Sequence, residues 1–292
     1  MRVGPSPEVT VEVIEQYDRP VPRYTSYPPV PYWSETYGPA DHAGRLGASR
    51  EDGGDLSIYV HIPFCVRRCL FCGCNVRVTR DEALPLRYLQ ALAREANAVV
   101  SHVGRGRTVS QFHIGGGTPT HLTPGQLREL VGVVRTRFDL RSDAELSLEV
   151  HPTVTTSAHM DALAAIGFNR ISMGVQDFDP EVQRRINRHQ TYEETARLVE
   201  AARDRGFLSV NLDLVYGLPY QTEAGLADTM EKVRAIRPNR VAVYSYAHMP
   251  QQFPHQRRTD EACPPRYQIQ RHPSSLQRMK SPKQIPRRCR FP

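Results

Sequence analysis

No apolar run in the 292 residues approaches the ~20 needed to cross a bilayer, so no membrane-spanning segment is expected. The first 21 residues mix acids with prolines and hold no apolar stretch long enough for a secretory signal, which makes the cytoplasm the default compartment. Cysteine is scarce: of six, Cys65, Cys69, Cys72 and Cys74 fall within ten residues, and Cys263 and Cys289 stand near the end. A secreted disulfide framework would spread its cysteines and usually occupies a smaller chain, so the clustering points to metal. Excess positive charge is absent from the body. The net charge is +7, but residues 251–292 carry ten Lys/Arg against two acids, which leaves 28 basic and 29 acidic side chains before them. No nucleic-acid partner is expected, and the basic tail reads as solvated.

What is present is a βα rhythm. The first 54 residues form an irregular arm that includes Arg23-Tyr24-Thr25-Ser26-Tyr27-Pro28-Pro29. From Leu56, short β-branched apolar runs at 57–62, 109–114, 145–150, 170–175, 210–215 and 240–246 alternate with helix-like stretches. The latter cover 83–103, 123–138, 155–166, an interrupted pair within 180–205, and 222–236. Thr123 and Thr222 mark helix starts and Gly167 a stop. Strands separated by crossover helices must pair in parallel with right-handed connections. The expected fold is α/β, an incomplete (β/α)6 barrel over residues 55–250, with a flat doubly wound sheet as the alternative. Residues 251–292 hold seven prolines and no apolar periodicity, and are expected to be a disordered Pro/Arg/Gln-rich tail.

The chemistry centres on Cys65-Val66-Arg67-Arg68-Cys69-Leu70-Phe71-Cys72, spaced Cx3CxxC directly after the first strand. Three thiolates satisfy three irons of a [4Fe–4S] cubane and leave the fourth open. An open iron can chelate the amino and carboxylate groups of S-adenosylmethionine and reduce its sulfonium, releasing a hydrogen-abstracting deoxyadenosyl radical. Structural zinc is the competing reading. It usually takes four ligands in paired groups, and no second pair is present unless Cys74 completes one crowded loop. Arg67 and Arg68 would favour thiolates. Cys74 has three readings: a determinant of loop conformation, a spare thiol or a proton donor. The loop's place after a strand puts it at the mouth where parallel α/β folds bind ligands. Tyr59 and His61 alternate on that strand, either facing the mouth or packing.

Other polar features gather at the same end. Gly115-Gly116-Gly117-Thr118-Pro119 closes the second strand, with three missing Cβ atoms that let backbone groups approach a ligand. No Gly-Lys-Ser/Thr follows, which disfavours a phosphate loop. Glu149, Gln176 and Asp213 lie in or beside successive apolar strands, where an unpaired polar group costs about 1–3 kcal/mol. Together they favour a ligand shell over three separately satisfied core residues. Arg188 can meet a carboxylate bidentately, although alone it reads as a surface arginine.

At Tyr59-Val60-His61-Ile62-Pro63-Phe64-Cys65 followed by Cx3CxxCxC, the chain resembles the oxygen-independent coproporphyrinogen III oxidase family of radical SAM enzymes. The arm 23–28, the strings 172–178 and 182–188, and Asp213-Leu214-Val215-Tyr216-Gly217-Leu218-Pro219 are similar too. The resemblance implies a cluster on Cys65, Cys69 and Cys72. It also implies two S-adenosylmethionine molecules held at Tyr59, Phe71, Gly116, Gly117, Thr118, Glu149, Gln176, Arg188, Asp213 and Ala247. The implied reaction is oxidative decarboxylation of two coproporphyrinogen III propionates to vinyl groups, giving protoporphyrinogen IX in anaerobic haem biosynthesis. A flavodoxin or ferredoxin would be the reductant and the protein a monomer. Arg23, Arg67 and Arg188 are candidates to meet the tetracarboxylate, and no residue is assigned a catalytic role.

Two departures stand out. His151 occupies a place where the family usually has Asp, and the resemblance dissolves in the tail, as a frameshift or truncation would leave it. The family's C-terminal domain is therefore expected to be missing, with activity impaired. The rival readings are a haem-binding chaperone on the same scaffold, against which Cys74 and the tyrosine-rich arm speak, and a remnant that binds cluster and cofactor without turnover.

Overall fold

The computed structural model describes residues 32–259, with Thr10, Glu12, Val13 and Gln16 ahead of them. The aromatic segment around Arg23 and the chain beyond Thr259 lie outside the described residues. After helix α1 (Pro39–Ala48), strand β1 (Leu56–Ile62) opens the sheet. A two-residue ladder of β2 (Phe64–Cys65) and β3 (Arg77–Val78) follows, then α2 (Ala83–Val103), β4 (Thr108–Gly116) and α3 (Pro124–Arg135). The rest runs β5 (Asp139–Val150), α4 (Ser157–Ala165), β6 (Arg170–Gln176), α5 (Pro180–Arg185), α6 (Tyr192–Asp204), β7 (Ser209–Tyr216), α7 (Glu223–Ile236) and β8 (Arg240–Ser245).

Six strands form one sheet in the order β1-β4-β5-β6-β7-β8, every neighbouring pair parallel. Each crossover steps one place in the same direction, and β1 and β8 are edges not bonded to each other. This is the open barrel that the alternation of runs implied. A flat doubly wound sheet would instead reverse its strand order part-way.

The two faces of the sheet differ because the side-chain period is two. Val60, Ile62, Phe112, Ile114, Leu146, Leu148, Ile171, Met173, Val210, Leu212 and Leu214 are buried in one apolar core with the helices. Each helix contributes a stripe of 3.6 period, as Leu127, Leu130, Val131 and Val134 do on α3 and Thr195, Leu198, Val199 and Ala202 on α6. Fully burying one such Leu stabilises by about 1.5–3 kcal/mol. The opposite face carries Tyr59, His61, His113, Ser147, Glu149, Ser172, Asn211 and Asp213, an almost wholly polar lining.

Helix starts match the expected caps. Thr123 and Thr222 accept from Gln126 N–H and Gly225 N–H, and Thr156, Asp179 and Thr191 cap in the same way. Strand β5 begins six residues earlier than the apolar run at 145 suggested. Its first half, with Arg141 paired to Asp55 and Asp143, is held by backbone pairing to Thr108 and Val109 and needs no apolar side chains. A bulge between Val109 and Gln111 lets Val109 and Phe112, three apart, both enter the core. At the other end, residues 254–259, expected to be tail, form a 3-10 turn (Pro254–Thr259) with Gln256 and Thr259 buried. No helix of the described residues is long and apolar enough to cross a membrane.

Candidate functional site

A cavity of about 880 Å³ lies at the C-terminal ends of the strands, lined by the cysteine loop and by residues from β4 through β8 and the turns beyond them. The loop is tied down at both sides. Arg77 N–H donates to Pro63 O (2.6 Å) and Thr79 N–H to Cys65 O (3.0 Å) across the β2–β3 ladder. Leu70 N–H reaches Ile186 O (2.8 Å), Asn187 Nδ2 donates to Arg68 O (2.8 Å), and Arg68 Nη2 donates to Val76 O (2.8 Å). Arg68 thus has a structural tie besides its charge.

Cys65, Cys69 and Cys72 all line the cavity and are half-buried, whereas Cys74 is exposed. Burial pushes the Cys65 thiol up. Hydrogen bonding from Cys74 brings the Cys72 thiol down to about 6, with the Cys74 N–H donating to Cys72 Sγ at 3.3 Å and the charge of Arg68 adding a smaller pull. Cys74 is held in its protonated form, because its proton is shared with that sulfur. Among the described residues, no group of three or more His, Cys, Asp and Glu side chains could hold a single metal ion.

The glycine run has a reason that the sequence alone did not reveal. A Cβ on Gly116 would stand 2.8 Å from His61 Cε1 and from Ile62 O; on Gly117 it would meet Phe64 O at 2.8 Å and Cys65 Sγ at 2.9 Å. The end of β4 is pressed against the cysteine loop, so the missing side chains serve the protein's own backbone first. The N–H groups are spoken for as well: Gly116 donates to Glu149 Oε2 (3.0 Å), Gly117 to Ile62 O (2.8 Å) and Thr118 to Phe64 O (2.8 Å).

Nine of the ten expected ligand positions line this one cavity: Phe71, Gly116, Gly117, Thr118, Glu149, Gln176, Arg188, Asp213 and Ala247. Tyr59 is not part of that lining; it stands on the polar face, 57% exposed, with its hydroxyl 2.9 Å from His61 Nδ1 and its ring stacked on His113. Burial and the charge of Glu149 push its pKa up. Asp213 accepts from Ser172 Oγ (3.0 Å) and Asn211 Nδ2 (2.8 Å), yet burial still raises its pKa. Gln176 ends β6 in the left-handed region (φ 68°). Behind it Asp177, 0% exposed, accepts from Gln221 Nε2 (2.5 Å), Thr229 Oγ1 (2.8 Å) and Asp179 N–H (2.7 Å).

Arg188 is brought inward by the end of α5. Asn187 takes the left-handed conformation (φ 55°), and Arg188 N–H bonds back to Gln183 O (2.9 Å), a Schellman-type reversal. The Arg188 guanidinium is buried, donates to Gly174 O, and places Nη1 3.7 Å from Cys69 Sγ. Its Nε is buried without a partner, which leaves a donor inside the cavity wall for an anionic acceptor. His151 lies on the same lining, uncharged: burial takes its pKa down to about 3, with Arg188 adding to the effect.

Sequence reasoning missed the segment after β8. Gln256, His255 and Phe253 pack on the cysteine loop, and their Pro/Gln-rich surroundings offered no apolar period to reveal it. It also missed Tyr244 and Arg80 on the cavity wall.

An open parallel barrel with three cysteines, a glycine turn and half-buried carboxylates at its mouth defines a radical SAM type of site. Residues 59–233 match the family model described as the Radical SAM superfamily, and the chain belongs to that superfamily, whose members use a [4Fe–4S] cluster and S-adenosylmethionine. It is 47% identical over 249 residues to the oxygen-independent coproporphyrinogen III oxidase of Pseudomonas aeruginosa, covering 85% of this chain and 54% of that protein. The enzyme of the same name from Escherichia coli K12 is 45% identical over 253 residues, 86% of this chain and 54% of its own. The solved structure of coproporphyrinogen III oxidase from Escherichia coli, described as a radical SAM enzyme, superimposes with a TM-score of 0.77 at 43% identity, covering 85% of this chain and 55% of that one. The chain therefore spans about half the length of the relatives it matches.

Proposed function

We propose that this chain takes part in the oxidative decarboxylation of coproporphyrinogen III to protoporphyrinogen IX. In this reading it holds a [4Fe–4S] cluster on Cys65, Cys69 and Cys72 and two S-adenosylmethionine molecules, and works in the cytoplasm as a monomer fed by a flavodoxin or ferredoxin. The supporting observation is the convergence of the three thiols, Glu149, Gln176, Arg188 and Asp213 on one cavity, in a chain 45–47% identical to oxidases of that name. When bound, cluster and cofactor supply an electron and a hydrogen-abstracting carbon radical.

The chain's own residues bind and orient. The Glu149 and Asp213 carboxylates offer acceptors for an ammonium group and for ribose hydroxyls. The orphaned Arg188 Nε offers a donor for a carboxylate, and Phe71 and Ala247 form the less polar wall. Arg67 and Arg80, exposed on the same lining, are placed to meet propionates of a tetracarboxylate substrate.

The test is anaerobic reconstitution followed by assay with dithionite-reduced protein, S-adenosylmethionine and coproporphyrinogen III. Products are read as oxidised porphyrins by chromatography, alongside 5′-deoxyadenosine. Protoporphyrin together with 5′-deoxyadenosine is expected. Deoxyadenosine without any decarboxylation would refute the substrate, and the absence of both would refute the site.

A further inference from the structure

The residues that follow β8 fold back over the cysteine loop, and Gln256 is their centre. Its side chain is 1% exposed, and both ends of its amide are engaged by main chain. Nε2 donates to Phe71 O (3.1 Å) and to Ala247 O (3.2 Å), while Oε1 accepts from Met249 N–H (2.6 Å). One side chain thus joins the cysteine loop, the turn after β8 and its own segment. His255 adds a second tie, with Nε2 donating to Cys72 O at 2.8 Å. The Phe253 ring closes over Gly73, where an added Cβ would stand 3.2 Å from it.

Phe71 and Ala247 both line the cavity. Their part of the wall includes Val215, Tyr246, Met249 and Phe253, while Glu149, Gln176, Arg188 and Asp213 supply the polar part. A sulfonium nucleoside is itself two-ended: its amino-acid end needs charged and hydrogen-bonding partners, and its flat purine needs an aromatic or aliphatic surface. The distance between Phe71 and Ala247 is set by the amide that holds both carbonyls.

We propose that Gln256 is a positioning residue for the purine end of the cofactor, acting by fixing Phe71 and Ala247 at a set spacing across the cavity wall. This rests on the reading that the cavity takes S-adenosylmethionine. A residue that merely glues the fold together would lower stability and cluster content; a positioning residue separates the nucleoside from the amino acid.

Gln256→Met keeps the length of the side chain and removes all three hydrogen bonds. Gln256→Glu keeps an acceptor for Met249 N–H and replaces the amide's two donors by at most one O–H, so that Phe71 O and Ala247 O can no longer both be held. Both are reconstituted anaerobically, iron per chain is measured, and S-adenosylmethionine and methionine are titrated separately by calorimetry. Q256M is expected to retain wild-type iron and to bind S-adenosylmethionine about tenfold more weakly, or ~1.4 kcal/mol, with methionine affinity unchanged. Q256E, which can no longer hold both carbonyls, is expected to show the same selective loss. Equal losses for both ligands, or no loss for either, would overturn the proposal. If Q256M loses its cluster, Q256E decides, and loss of the cluster in both makes Gln256 structural and sinks the idea. A wild-type chain with full iron that binds no S-adenosylmethionine would instead refute the reading of the cavity, leaving Gln256 out of account.

Discussion

Replacing Gly117 by alanine tests whether the glycine run exists to admit the cysteine loop. The added Cβ would stand 2.8 Å from Phe64 O, 2.9 Å from Cys65 Sγ and 3.1 Å from Phe64 C. Ordinary contact lies beyond 3.4 Å, so the backbone of Phe64 and the thiol must retreat by about 0.5 Å. Two of the three obstacles are main-chain atoms fixed by the Thr118 N–H to Phe64 O bond, so rotation of a side chain cannot relieve them. Gly117 does not occupy the left-handed region, and the penalty is therefore steric alone. Overpacking of this kind costs about 1–3 kcal/mol, which in a domain of this size lowers Tm by roughly 2–12 °C.

The matched control is Gly132→Ala within α3, where nothing lies within 4 Å of the new Cβ. That change should stabilise by about 0.5–1 kcal/mol through helix propensity. Differential scanning fluorimetry of the apo proteins, with iron and sulfide analysis after reconstitution, separates the two. G117A is expected to melt lower and to take up less iron, because one of the displaced atoms is the sulfur of Cys65, a proposed cluster ligand; G132A is expected to melt higher with full iron. An apo G117A that melts with the wild type and fills with iron normally would show that the β4 end does not press on the loop.

Asp177→Ala should destabilise by about 3 kcal/mol, since it strands the Asp179 N–H and strips a partner from Gln221 and Thr229 in a fully buried place. Urea denaturation would reveal it as a lower midpoint with unchanged slope, and an unchanged midpoint would contradict the network. His151 accepts at Nδ1 from Thr153 N–H (3.3 Å) and is neutral in the fold, with a pKa lowered by burial from 6.5 to about 3. The unfolded chain takes the proton first, so this contribution is present above pH 6.5 and is lost as pH falls towards 3, at up to about 1.4 kcal/mol per pH unit. His151→Gln should flatten that part of the apo stability profile between pH 6.5 and 4; an identical slope in wild type and variant would refute the assignment.

Much of this architecture was legible because its signals are local. Thr123 and Thr222 cap where a hydroxyl precedes an apolar stripe, and each buried strand reads as a β-branched run. The gathering of Glu149, Gln176 and Asp213 followed from their place in or beside successive parallel strands, which open on one mouth. What stayed hidden depends on partners far away in the chain. The polar start of β5 is defined by its pairing with Thr108 and Val109, and the purpose of Gly117 by the carbonyl of Phe64. Gln256 belongs to a segment whose composition reads as tail, and three hydrogen bonds to main chain leave no periodic trace.

The ties on the cysteine loop also order events in time. Asn187 reaches Arg68 across 119 residues, and His255 and Gln256 reach Cys72 and Phe71 across 183 and 185. During synthesis the thiols emerge long before the residues that clamp them. Contacts of such long separation also carry the largest loop-closure cost and close late. Until residue 256 docks, the loop has its ties to β3 and to residues 186 and 187 but lacks those at Phe71 and Cys72. Once it docks, the carbonyls of Phe71 and Cys72 are held as well, so the last turn of the loop is fixed by residues nearly two hundred positions further along the chain.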